Sequence, residues 1–246
     1  MTHKSQLVTI SREETDAAAE RYFQIICGLR ENEADSLRMR ESAYAVRAKL
    51  IEHINLRALI RDFDRKVVHE DGLYIEGRVF PCRVLAGLEK EHILAVYAFV
   101  LTVGDLPHAG QSIMEALYAD FWGTAYTNAA GDALRAYLRQ LHTRPACVSE
   151  PISPGFYGMD IKKISELFQI VDGNEIGVYL QDFIMEPLKS CAGFYFVMEE
   201  EAQLNFLSDH CSYCHKGSNS SCAFCCRGDR PRPPAYFIVN QNPLPL

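Results

Sequence analysis

Residues 150–197, EPISPGFYGMDIKKISELFQIVDGNEIGVYLQDFIMEPLKSCAGFYFV, are compatible with few folds. Ser153-Pro154-Gly155 is a rigid turn: Pro154 fixes its own φ and biases Ser153 toward extended geometry, while Gly155 admits angles that other residues avoid. A short amphipathic helix is predicted next, with Ile161, Ile164, Leu167 and Phe168 on one face and Asp172-Gly173 as its stop. A buried strand about 176–180, a proline-bearing loop over 185–190 and a second strand at 193–197 complete the series. The fold class read from the chain is α+β: a mixed, largely antiparallel sheet with helices packed against it and a Cys-rich appendage.

Upstream, Ser11-Arg12-Glu13-Glu14 is a capping box opening a helix that stops near Cys27-Gly28. Residues 33–62 read as helix, with one break at most and charges on the outer face. Two short strands about a turn are expected over 69–80, and 93–103 (ILAVYAFVLTV) is a continuous apolar run. Apolar residues then recur at helical spacing over 112–141: Ile113, Leu117, Phe121, Ala125, Ala133, Tyr137 and Leu141. The other face carries Asp120, Thr124, Asn128 and Asp132, which read first as a solvated stripe. Trp122 is expected in the core, and His108 lies on the loop after the apolar run.

These segments carry a resemblance. Ser153-Pro154-Gly155, Leu167-Phe168, Ile176-Gly177-Val178, Met185, Pro187 and Lys189-Ser190 match, in order and at compatible spacing, the activation (reactivation) domain of cobalamin-dependent methionine synthase, and especially its stand-alone relatives. Thr102-Val103-Gly104 is similar to the exit of that family's buried strand, and Asp120, Gly123 and Asp132 fit its long helix. The resemblance covers roughly residues 60–200. It implies a domain that holds S-adenosylmethionine over the corrin of cobalamin carried by a partner, a methyltransferase or corrinoid protein, so that an electron and a methyl group restore methyl-cobalamin. Cofactor-contacting residues would be Ser153, Pro154, Gly155, Phe156, Tyr157, Asn128, Asp120 and Lys189. A flavodoxin- or ferredoxin-type protein would donate the electron. The chain departs from the pattern at three ligand-facing positions: Pro151 stands for an arginine, Phe156 for a tyrosine and Asn128 for a glutamate. Proline supplies no guanidinium fork for a carboxylate.

Beyond residue 203 the composition turns to Ser, Cys, Asn, Gly and Pro, which divides the chain into an activation-domain-like part, 1–203, and a tail, 204–246. Five of the nine cysteines fall here: Cys211, Cys214, Cys222, Cys225 and Cys226. Two Cys-x2-Cys knuckles can place four thiolates for zinc or for a [4Fe–4S] cluster, with His210 and His215 as substitutes for a thiolate; a disulfide framework and free thiols are the alternatives. Stand-alone relatives end in a cysteine cluster closed by an aromatic–Arg pair, which Phe224-Cys225-Cys226-Arg227 resembles, and the low-potential electron of corrinoid activation favours iron–sulfur. Cys27, Cys82, Cys147 and Cys191 read as small buried hydrophobes.

A net charge of −7 argues against nucleic acid or an anionic membrane as partner. The start lacks the apolar core of a signal peptide and no run is long enough to span a bilayer, so a cytoplasmic protein is expected. No glycine-rich phosphate loop or His-Glu-x-x-His motif is present. Three functions remain open: a stand-alone corrinoid-reactivating protein, a non-catalytic docking or capping module with a degenerate ligand site, and an iron–sulfur electron-transfer adaptor.

Overall fold

A computed structural model describes residues 4–28, 34–86, 88, 90–107 and 112–199. The cysteine cluster, His108 and the tail from residue 200 onward lie outside the described residues. In chain order the elements are β1 (Gln6–Thr9), α1 (Arg12–Cys27), α2 (Ala34–Leu50), β2 (Arg57–Phe63), β3 (Val68–His69), β4 (Gly72–Ile75), β5 (Arg78–Pro81), β6 (Ile93–Thr102), α3 (Ile113–Gln140), β7 (Ala146–Val148), α4 (Lys163–Phe168), β8 (Tyr179–Gln181), β9 (Ile184–Glu186) and β10 (Ser190–Glu199). Among the described residues, five strands pair antiparallel in the order β1-β2-β6-β10-β7, and β3-β4-β5 and β8-β9 form small separate sheets.

The apolar run at 93–103 is the central strand β6, and it is apolar throughout because both faces of the sheet are covered. Tyr97, Phe99 and Leu101 of β6, with Tyr195 and Val197 of β10, face α1, α2 and α3. Val96, Ala98 and Val100, with Phe194 and Phe196, face β3–β5, α4 and the segment around Ile176. The layer on the helical side is drawn together by Trp122. Its ring stacks on Phe23 of α1 at 3.9 Å, and its indole N–H donates to the Ala43 carbonyl of α2 at 2.9 Å.

Local chemistry sets the ends of α1 as the sequence implies. The Ser11 hydroxyl accepts from the Glu14 amide, and Gly28 closes the helix in the left-handed region at φ 63°. Ser112 caps α3 in the same way.

Four expectations change. The helix read over 33–62 ends at Leu50, and 57–63 is β2, because Ala58, Leu59 and Ile60 are buried consecutively between β1 and β6. The strand expected at 176–180 is instead a single 3-10 turn, Gly173–Ile176, capped by Asp172, and then β8, half of an exposed hairpin closed at Asp182-Phe183. Asp172 therefore starts a turn; α4 has already ended at Phe168, and Ile161 lies exposed before it. Two strands expected over 69–80 are three.

The buried face of α3 is also rotated about one position from the one read. Tyr118, Trp122, Tyr126, Ala130, Leu134 and Leu138 are buried, whereas Ile113, Leu117 and Leu141 are exposed. Large aromatic rings reach the core from positions adjacent to the aliphatic series and so decide the orientation. Trp122→Ala should therefore cost about 3–5 kcal/mol, as for other large core truncations, while Ile113→Ala, at a site 88% exposed, should stay within about 0.5 kcal/mol. Urea unfolding of the two variants measures the contrast.

Candidate functional site

The turn at Ser153 is held on the sheet by its approach. The chain leaves β7, and Ser149 and Ile152 continue the pairing with β10 through Phe196 and Phe194. The turn then folds on itself: the Phe156 amide donates to the Ser153 carbonyl at 3.1 Å, and the Gly155 amide to the Met159 carbonyl at 2.9 Å. Gly155, Tyr157 and Gly158 all have positive φ, and the Tyr157 carbonyl accepts from the Arg83 amide at 3.1 Å. A non-glycine residue at φ 53° is conformationally costly and is kept only where surrounding contacts hold it. Pro154 is buried, while Phe156 presents its ring to solvent, 62% exposed.

Gly193 allows the close approach. A Cβ there would lie 2.5 Å from Ser153 Oγ and 2.7 Å from the Ile152 carbonyl oxygen. A glycine inside an apolar strand is the sequence signal for such an approach, and AGFYFV carries it.

The polar stripe of α3 does not simply face solvent. The Lys189 ammonium donates to Asp120 Oδ1 at 2.6 Å and to Thr124 Oγ1 at 2.9 Å, and its stem lies on Gly123, where a Cβ would be 2.8 Å away. Three turns along, Arg135 pairs with both Asp132 and Glu150, and the Tyr22 hydroxyl donates to Asp132 Oδ2 at 2.8 Å. Although burial opposes its charge, the Glu150 and Asp132 carboxylates hold Arg135 above its ordinary range. Burial also lifts the Asp132 carboxyl above the usual carboxylate range, offset in part by Arg135. Asn128 stands between these two polar contacts, one turn from each on the same face.

Both groups of candidate residues meet the β10 segment: Lys189, just before the strand, holds Asp120 and Thr124 of the stripe, and Gly193 lies beneath Ser153 of the turn. Arg135 and Glu150 link α3 to the chain entering the turn. The Arg135–Glu150 and Tyr22–Asp132 contacts are not legible in sequence, because they form only in the fold. Beside Lys189 a cleft of about 310 Å³ opens among Leu106, Pro107, Ala116, Asp120, Pro187 and Lys189. Among the described residues no cluster of His, Cys, Asp or Glu is arranged to hold a metal. Cys27, Cys82, Cys147 and Cys191 are free thiols, the middle two buried.

No protein-family model and no curated protein matches the chain. Among solved structures, the crystal structure of the MetH reactivation domain bound to AdoHcy matches with a TM-score of 0.58, covering 82% of this chain and 80% of that one at 14% identity. The chain has the fold of the MetH reactivation domain. The α+β architecture and antiparallel sheet read from the sequence are those of this reactivation-domain fold. No helix among the described residues is long and apolar enough to cross a membrane.

Gly193→Ala should destabilise the reactivation-domain fold by about 1–3 kcal/mol, since backbone as well as side chain must yield; the urea midpoint reports it. Asp132 gives a pH signature. Its folded pKa is raised, so its contribution is fully present below the ordinary carboxylate pKa and is lost as pH rises through the raised value. The unfolding free energy of Asp132→Asn minus that of the parent should accordingly grow more positive with rising pH across this window. Urea titrations at several pH values test the slope.

Proposed function

We propose that this chain is a stand-alone relative of the methionine synthase activation domain that binds S-adenosylmethionine and presents it to cobalamin carried by a partner methyltransferase or corrinoid protein. The observation that carries the reading is the fold, shared with a domain crystallised with AdoHcy, on which the β10 segment contacts both the α3 stripe, through Lys189, and the Ser153 turn, through Gly193. The sequence resemblance marks the same turn and the same helix face.

The residues present fit such a ligand through an altered set of contacts. Phe156 offers an exposed ring for stacking a base, and Tyr157 and the amides of the turn border it. Pro151 provides no cation; Lys189, whose ammonium holds Asp120 and Thr124, would turn to meet a carboxylate. Asn128 would contribute a neutral polar contact midway. When bound, S-adenosylmethionine supplies the methyl group and its sulfonium. The protein residues position it and keep the polar groups of the site satisfied; no general base is assigned, in keeping with chemistry carried by the cofactor.

The proposal extends to the tail. Residues 204–246 form a separate part in which Cys211, Cys214, Cys222 and Cys225 or Cys226 bind zinc or a [4Fe–4S] cluster; a cluster would place an electron source beside the corrinoid, alongside a flavodoxin- or ferredoxin-type donor. A second reading, a docking or capping module without ligand, is favoured by one observation: Asp132 is consumed by Arg135 and Tyr22, and Asn128 carries no charge.

Calorimetric titration of the full chain with S-adenosylmethionine, with AdoHcy as comparison, separates the two. The proposed function predicts saturable one-site binding, weakened roughly threefold to tenfold by Phe156→Ala, the range expected for one aromatic contact. No heat at millimolar ligand would leave the docking module as the function. Iron, sulfide and zinc analysis of the same anaerobic preparation assigns the tail's metal.

A further inference from the structure

The cleft beside Lys189 has a chemistry of its own. Its walls are apolar: Leu106, Pro107, Ala116, Ala119, Pro187 and Leu188. Asp105, Asp120 and Glu186 stand against one cation, Lys189, so the lining carries three carboxylates and one ammonium. Lys189 is already committed to Asp120 and Thr124. Asp105 and Glu186 have no ion-pair partner among the described residues.

At about 310 Å³ the cleft sits at the lower limit of small-molecule pockets, large enough for one or two side chains. Beside its residues the surface is apolar: Ile113 is 88% and Leu188 66% exposed, and Met114 and Leu117 are exposed on the first turns of α3. Exposed large apolar side chains grouped at an acidic-rimmed cleft are the pattern of a protein-binding patch with a central pocket.

We propose that this cleft is a docking site for a partner protein presenting a basic side chain flanked by apolar residues. The long stem of an arginine or lysine runs along Leu106 and Pro187, its charge ends between Asp105 and Glu186, and the flanking apolar residues cover Ile113, Leu117 and Leu188. An anionic segment is rejected, because the lining sets three carboxylates against one ammonium. The site is separate from the turn. Gly193, beneath Ser153, lies four residues along the chain from Lys189, about 13 Å at strand spacing.

The test uses the full isotope-labelled chain and two capped tripeptides, leucine-arginine-leucine and leucine-glutamate-leucine, titrated to ten millimolar while backbone amide shifts are followed. The expected result is saturable shifts from the arginine peptide confined to 104–107, 116–120 and 186–189, weaker at high salt. Asp105→Asn combined with Glu186→Gln should reduce that affinity roughly fivefold to tenfold, as expected for two partly exposed charge contacts, with S-adenosylmethionine titration unchanged. Absence of localised shifts, or equal shifts from the glutamate peptide, would overturn the proposal. Because S-adenosylmethionine binding is read by the separate calorimetric titration, the two proposals fail independently.

Discussion

Pairing between β6 and β10 is the contact on which the remaining structure hangs. Each strand is apolar on both faces, so both faces need cover, and the helices take one while the small sheet and α4 take the other. Phe99 stacks with Tyr195 at 4.4 Å on the helical side, and Phe80 meets Phe194 edge-on at 4.9 Å on the other. When both faces are apolar, alternation alone cannot forbid a one-residue slip. Polar ends supply the missing specification. The Ser190 hydroxyl lies 2.9 Å from Thr102 Oγ1 in the cross-strand pair and donates to the Pro187 carbonyl at 2.7 Å, while the Gly104 amide donates to Thr102 Oγ1 at 3.0 Å. These bonds sit where β6 ends and β10 begins, and they place Lys189 and the loop before it against α3.

What the sequence disclosed follows the range of the interactions involved. Caps at Ser11 and Gly28, the turn at Ser153 and the buried run at 93–103 are local, and the structure has each of them. The strand β2 reads as helix in sequence because ALIRDF follows a charged helical stretch without a strong breaker, and only β1 and β6 on either side make it a strand. Alternation was faint at 176–180 too, and there no neighbour strand recruits it into the main sheet. The orientation of α3 depended on which side chains find partners across the layer, and Trp122 meeting Phe23 and Ala43 decided it. The turn and the polar helix stripe are legible as local features, but not that Asp132 spends its charge on Arg135, nor that Glu150 ties the chain before the turn to the same arginine.

The electrostatics of α3 change along its length. At one end Lys189 meets Asp120 near solvent, an arrangement of modest stabilising value. At the other, one guanidinium serves two carboxylates in a buried setting, where removing the arginine leaves both carboxylates uncompensated. The helix therefore has a stiff end at Arg135 and an adaptable one at Lys189. Contacts at the adaptable end can rearrange without disturbing the core.

Gly123 and Lys189 lie 66 positions apart, yet they share one volume, since the lysine stem occupies the space that any side chain at 123 would need. Substitutions at the two positions are therefore ordered in time. A lineage can enlarge residue 123 only after residue 189 has shortened or turned away, and once 123 is enlarged the lysine cannot return along the same course. The history of this helix face is thus a ratchet: loss of the ammonium is easily reached, and its recovery requires the glycine to be restored first.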